Sequence, residues 1–100
     1  MAKQTNQSAN GTSFHDVTIK TSANKLISVL GEPHWVNNTG EDKVNFEFIF
    51  ETEEGDVFTI YDWKHYRKLD LDEIIEWHIG SHSRMISWDA QDEITKELSN

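Results

Sequence analysis

Apolar and polar residues alternate most cleanly between positions 44 and 51. Val44, Phe46, Phe48 and Phe50 fall on one side; Asn45, Glu47 and Glu51 fall on the other, joined by Ile49. A period of two predicts a half-buried strand. Spacing turns helical at Leu26, Ile27, Val29 and Leu30. Thr21 or Ser22 can cap that helix by accepting a bond from a free backbone N–H. Gly31 can close its C-terminal end, and Pro33 prevents continuation. FHDVTIK, at 14–20, reads as a short strand with Val17 and Ile19 on one face. EIIEWHIG, at 73–80, reads as another, with Ile75, Trp77 and Ile79 toward the core and Ile74, Glu76 and His78 away from it. From Ser83 onward a second helix is expected. Ser83 or Ser87 is its cap, Ala90, Ile94 and Leu98 form its stripe, and Asp89, Asp92 and Glu93 come early with Lys96 late, as the helix dipole prefers.

The turn TEEGD sets the register of the central hairpin. A two-residue loop on Glu54-Gly55 would need positive φ at both positions, which Glu disfavours. A three-residue loop, Glu53-Glu54-Gly55, needs it only at Gly55. That loop pairs Thr52 with Asp56, Phe50 with Phe58 and Phe48 with Ile60. Paired residues share a face, so Phe58 and Ile60 join the phenylalanines, while Val57, Thr59, Tyr61 and Trp63 join Glu47 and Ile49. The order is β-α-β-β-β-α, an α+β fold with an antiparallel sheet and helices packed on one face.

Composition narrows the rest. The 100 residues carry 18 acids and 9 bases, for a net charge of −9. Residues 1–12 are mostly polar, with Gln, Asn, Ser, Gly and Thr and one Lys, and are expected as a disordered tail, with 13–100 one domain. There is no Cys, which excludes disulfides, thiol chemistry and Cys-ligated metal. No stretch has the length of a membrane span, and MAKQTNQSANGTS has no apolar signal segment, so a cytoplasmic location is expected. The negative balance opposes direct nucleic-acid binding and suits a basic protein partner.

Against this acidity, TIYDWKHYRKL at 59–69 crowds bases and aromatics together. Tyr61, Trp63, Lys64, Tyr66 and Arg67, with His78, His82 and Arg84 further on, make a candidate binding patch. Arg beside Tyr and Trp is the composition of interaction hot spots, and it also suits stacking on a base. The bland alternative has Tyr61 and Trp63 covering a second apolar layer with Ile49 and Ile74. The HxxxH spacing of His78 and His82 serves a metal only on a helix, and Gly80 interrupts it, so no metal or other cofactor is assigned. Asp70 and Asp72 supply too few oxygens for a hard cation. Tyr61, Asp62 and His78 could meet as an acid–base pair, but no nucleotide loop or nucleophile motif accompanies them. A non-enzymatic role is expected.

YDWKHYR at 61–67 and EWHIGSHS at 76–83, with Leu30-Gly31-Glu32-Pro33, make residues 17–82 similar to a group of small uncharacterised proteins of bacteriophages and prophages. The resemblance implies a viral accessory role in the host cytoplasm and carries no catalytic residue. The leading expectation is a non-catalytic inhibitor of a host defence or nucleic-acid-processing protein. The other is a small-ligand binder that sequesters a signalling nucleotide. Pockets of that kind are often shared between two copies, so a homodimer belongs to it.

Overall fold

The computed structural model describes residues 2–99. Eight elements follow in chain order: β1 (Lys3–Gln4), β2 (Ser13–Thr21), α1 (Ala23–Leu30), β3 (Trp35–Val36), β4 (Phe46–Glu51), β5 (Val57–Tyr61), β6 (Ile75–Ser81) and α2 (Arg84–Leu98). The strands form one antiparallel sheet in the order β1-β4-β5-β6-β2, with β3 also on β4. This is the expected α+β architecture, with two short strands added.

The hairpin follows the turn chemistry. Gly55 takes φ 92 and the Thr52 amide donates to the Asp56 carbonyl. Phe50 pairs with Phe58 and Phe48 with Ile60. Alternation then sends Phe46, Phe48, Phe50, Phe58, Ile60, Ile75, Trp77 and Ile79 to one face, where all are buried with Leu26 and Leu30 of α1 and Ala90 and Ile94 of α2. Full burial of each large side chain contributes roughly 1.5–3 kcal/mol. The polar groups on this face are paired. The Trp77 indole donates to the Thr21 carbonyl, and Ser81 bonds Ser87 inside α2. Ser22 and Ser83 are the two N-caps.

Three expectations are corrected. The segment 2–12 is not a loose tail. Lys3 and Gln4 pair with Glu51 and Phe50, and Thr5 is buried. Main-chain bonds hold it, so its polar composition carries no sign of them. Met1 lies outside the described residues. Secondly, 34–42 is not purely loop, because β3 pairs Trp35 with Glu47 and Val36 with Phe46. Together β1 and β3 cover most of the outer edge of β4. Between them the Ile49 amide donates to His34 Nδ1, so that edge offers little to an incoming strand. Thirdly, Val44 leaves the core face. Asn45 is fully buried in its place, for a reason set seventeen residues downstream.

That reason is Asp62. Its carboxylate is completely buried and accepts from the Asn45 amide, the Phe46 amide and the Asn45 side chain at 2.8–3.0 Å. Two successive amides turned toward one oxygen break the strand alternation before Phe46. Val44 therefore lines the opposite face, beside Glu47 and Trp63.

Candidate functional site

The face away from the helices is crossed by five register partners in one row. Trp35 pairs with Glu47, Glu47 with Tyr61, Tyr61 with His78, and His78 with Thr18. The next row holds Ile49, Thr59, Gly80 and Phe14. Since paired residues share a face, an aromatic belt runs from β3 to β2 with the Glu47 carboxylate inside it.

The rings touch. His78 stacks on Phe14 at 3.9 Å between centroids, with 9° between planes. Tyr61 meets His78 edge-on at 5.5 Å and Trp63 edge-on at 6.0 Å. Trp63 lies 28° from the His78 plane at 6.2 Å. The ammonium groups of Lys43 and Lys64 stand over the Trp63 ring at 5.9 and 5.5 Å, within the range of cation–π attraction. Burial pushes the His78 imidazole below its ordinary pKa, with the nearby His65 adding to this and Glu76 and Asp16 opposing it. Burial, then the charge of Glu47, pushes the Tyr61 phenol up.

Residues 5–12 must pass from β1 at one edge of the sheet to β2 at the other. They cross this open face near the hairpin turn, where the Gln7 side chain reaches the Glu51 carboxylate and the Gly55 carbonyl. At that end Val57 and Thr59 are buried although they face away from the helices. Beyond the crossing, a cleft of about 360 Å³ opens between Ala9, Asn10 and Thr12 on one side and Glu47, Tyr61 and Trp63 on the other. Gly80 lines it as well. A Cβ at Gly80 would lie 2.7 Å from Thr59 Oγ1, so the close strand approach here requires glycine. A second hollow of about 320 Å³ lies alongside, lined by Trp35, Val44 and Glu47.

The chain matches no family model, no curated protein and no solved structure.

The sequence-derived patch is brought together only in part. Tyr61, Trp63, Lys64 and His78 share the open face. Tyr66 is exposed in the following loop, where both it and Lys64 take positive φ, at 51 and 56. Side-chain-bearing residues resist that region. Polar staples hold the loop there: Asn38 bonds both the amide and carbonyl of Leu69, and Asn45 bonds the Arg67 carbonyl. Arg67 makes a two-pronged pair with Glu73 at 2.8 and 2.6 Å, so its fork is already engaged. His82 follows the end of β6, beyond the Phe58–Ser81 pair, and sits against Gly11. Counting along β6, that is roughly 13 Å from His78. Arg84 begins α2 and lies 3.8 Å from Asp16. Asp62 faces into the core, so it does not join Tyr61 and His78 as an acid–base pair. Ile74 is 73% exposed, so the second apolar layer does not form.

Sequence reasoning missed Trp35, Val44, Glu47 and Phe14. Trp35 lay in a stretch read as loop, and Phe14 reaches His78 through a strand irregularity in which Asp16 has φ 63. Glu47 carried a signal in the register itself, because the predicted hairpin already set it opposite Tyr61.

Proposed function

We propose that this protein acts by non-catalytic binding and that the open sheet face is where a protein partner docks. One observation carries the reading. Phe14, Trp35 and Trp63 remain 37%, 41% and 39% exposed together on one face of the sheet, whereas Phe46, Phe48, Phe50, Phe58 and Trp77 are buried on the opposite face; Tyr66 and Trp88 are exposed as well, but on the following loop and on α2. A grouped set of partly exposed rings on a stiff sheet is the usual make-up of an interaction surface. The acidic balance favours a basic partner. With the resemblance to small phage proteins, this supports a viral accessory protein that inhibits a host defence or nucleic-acid-processing protein in the host cytoplasm.

A second reading, sequestration of a signalling nucleotide, draws on the cleft beside Tyr61 and Trp63 and on Lys64 at its rim. The Glu47 carboxylate in the lining repels phosphate, and Glu73 already engages Arg67. These two carboxylates favour a protein partner over a nucleotide.

Capture from bacterial lysate with the wild type, Trp35→Ala and Trp63→Ala tests it. A stoichiometric partner held by the wild type, lost by variants of unchanged melting temperature, and slowed in its own activity by the added protein is the expected result. Native mass spectrometry with a nucleotide panel tests the second reading. A nucleotide bound without any protein partner would replace the first reading with the second.

A further inference from the structure

Glu47 is the feature of the open face that core packing does not explain. It sits in the middle of the cross-strand row, between Trp35 and Tyr61. It is half-buried, and among the described residues no side-chain hydrogen bond or ion pair holds its carboxylate. It lines both hollows, as does Val44. Burial, and after it the charge of Glu47, pushes the Tyr61 phenol up. A partly desolvated carboxylate among ring faces is an incomplete arrangement, because a planar cation would satisfy both at once.

We infer that the hollow bounded by Trp35, Val44 and Glu47 receives an arginine side chain from a protein partner. This rests on the binding reading above and names the group that is recognised. Guanidinium fits better than ammonium for three reasons. It is planar and stacks on aromatic faces, it binds a carboxylate through two parallel N–H donors, and it loses less hydration on entry. The hollow, of about 320 Å³, is open on its outer side, so a side chain can enter it from solvent. Lys43 and Lys64 already stand over Trp63, which directs the incoming cation toward the Trp35 side. The net charge of −9 favours a basic partner for the protein as a whole, and Glu47 is the carboxylate that meets it on this face.

The test uses the whole chain and the indole N–H signals of Trp35 and Trp63 in two-dimensional NMR. The probes are N-acetyl-arginine amide, N-acetyl-lysine amide and adenosine monophosphate, each titrated separately. The expected result is a saturable shift of the Trp35 signal with the arginine probe and a weaker response to lysine. In Glu47→Gln the arginine response should fall by about tenfold, the scale of one charge-assisted contact. Glu54→Gln removes the same charge from the exposed turn and should behave as wild type. Retained spectral dispersion in both variants shows that they fold. No response to arginine, an equal response in Glu47→Gln, or a response to the nucleotide alone would overturn the inference. A captured partner lost by Trp35→Ala and Trp63→Ala but kept by Glu47→Gln would also overturn it, while leaving the protein-binding reading intact.

Discussion

On the helix-covered face of the sheet, Phe48, Phe58 and Trp77 are completely buried, whereas on the open face Phe14, Trp35 and Trp63 each keep more than a third of their surface in water. The two faces are built from the same strands, and in β5 neighbouring residues serve opposite faces. What separates them is the cover. Two capped helices close the first face, and the buried Trp77 indole and the Ser81 and Ser87 hydroxyls there have partners. On the second face, among the described residues, the cover is the polar crossing of residues 5–12. It shields Val57 and Thr59 and stops short of Tyr61 and Trp63. A ring on the first face is therefore a stability element, and a ring on the second is available to a partner. Each prediction below strains that distinction.

The largest effect is expected at the closed face. Phe48→Ala removes a fully buried ring, and such deletions cost about 3–5 kcal/mol. Trp63→Ala removes a larger ring from the open face and should cost no more than about 1 kcal/mol. Urea denaturation of both variants checks the pair. A Phe48→Ala loss below about 1 kcal/mol would erase the difference between the faces.

Asp62 belongs with the closed face although it sits inside the exposed-looking YDWKHYR. Asp62→Ala would strand the Asn45 and Phe46 amides and the Asn45 side chain in the interior. Bonds to a charged group contribute about 1.5–3 kcal/mol each and do not add fully, so a loss of about 2–4 kcal/mol is expected. The loop from Trp63 to Leu69 should loosen as well, because Asn45 also holds the Arg67 carbonyl. Hydrogen exchange at Lys64 and Leu69 measures this. Unchanged protection would mean that the loop is anchored elsewhere.

These cases show which parts of the molecule were legible in the chain. The hairpin register followed from the φ requirement of Gly55, a local property of a five-residue turn. Helix α1 followed from Ser22, Gly31 and a stripe of apolar residues, also local. What escaped depends on distant partners. β1 pairs through its backbone with a strand more than forty residues away, and polar side chains do not report that. Val44 was placed in the core because alternation was extended one step too far, past the point where Asp62 draws two amides together. The candidate site divided the same way. Tyr61, Trp63, Lys64 and His78 are close in register and were found, whereas His82 and Arg84 were grouped with them by composition and lie elsewhere.

A smaller effect distinguishes Trp63 from Arg67 in binding. Trp63→Ala should weaken capture of a partner by about 2 kcal/mol or more, as hot-spot rings do. Arg67→Ala should weaken it much less, because Glu73 already occupies the guanidinium fork. Side-by-side affinities measure the contrast. Equal losses would mean that Arg67 exchanges Glu73 for the partner, and the working surface would then extend around the loop.

The smallest expected effect is a pH dependence centred on His78. Its pKa is lowered in the folded chain, with burial the largest cause, His65 next to it in the same direction, and Glu76 and Asp16 opposing. Lowering means that the folded state binds fewer protons than the unfolded state just below the ordinary histidine pKa of 6.5. Stability from this group is therefore complete above about pH 6.5 and is lost as pH falls through the folded value. His78→Phe keeps a ring against Phe14 and Trp63 and removes the titration. The difference in stability between wild type and variant should thus be flat above about pH 7 and should move against the wild type between about pH 6.5 and pH 5. Glu73 is lowered too, so its contribution is lost in the same direction, but its hydrogen bond to Arg67 holds it below the usual carboxylate range and its loss follows only at more acid pH. Melting curves in matched buffers across that window separate the two. A difference that stays constant from pH 7 to pH 5 would mean that the imidazole is no more desolvated in the fold than in the unfolded chain. The ring stack at the centre of the open face would then be wetter than its 3.9 Å contact with Phe14 implies.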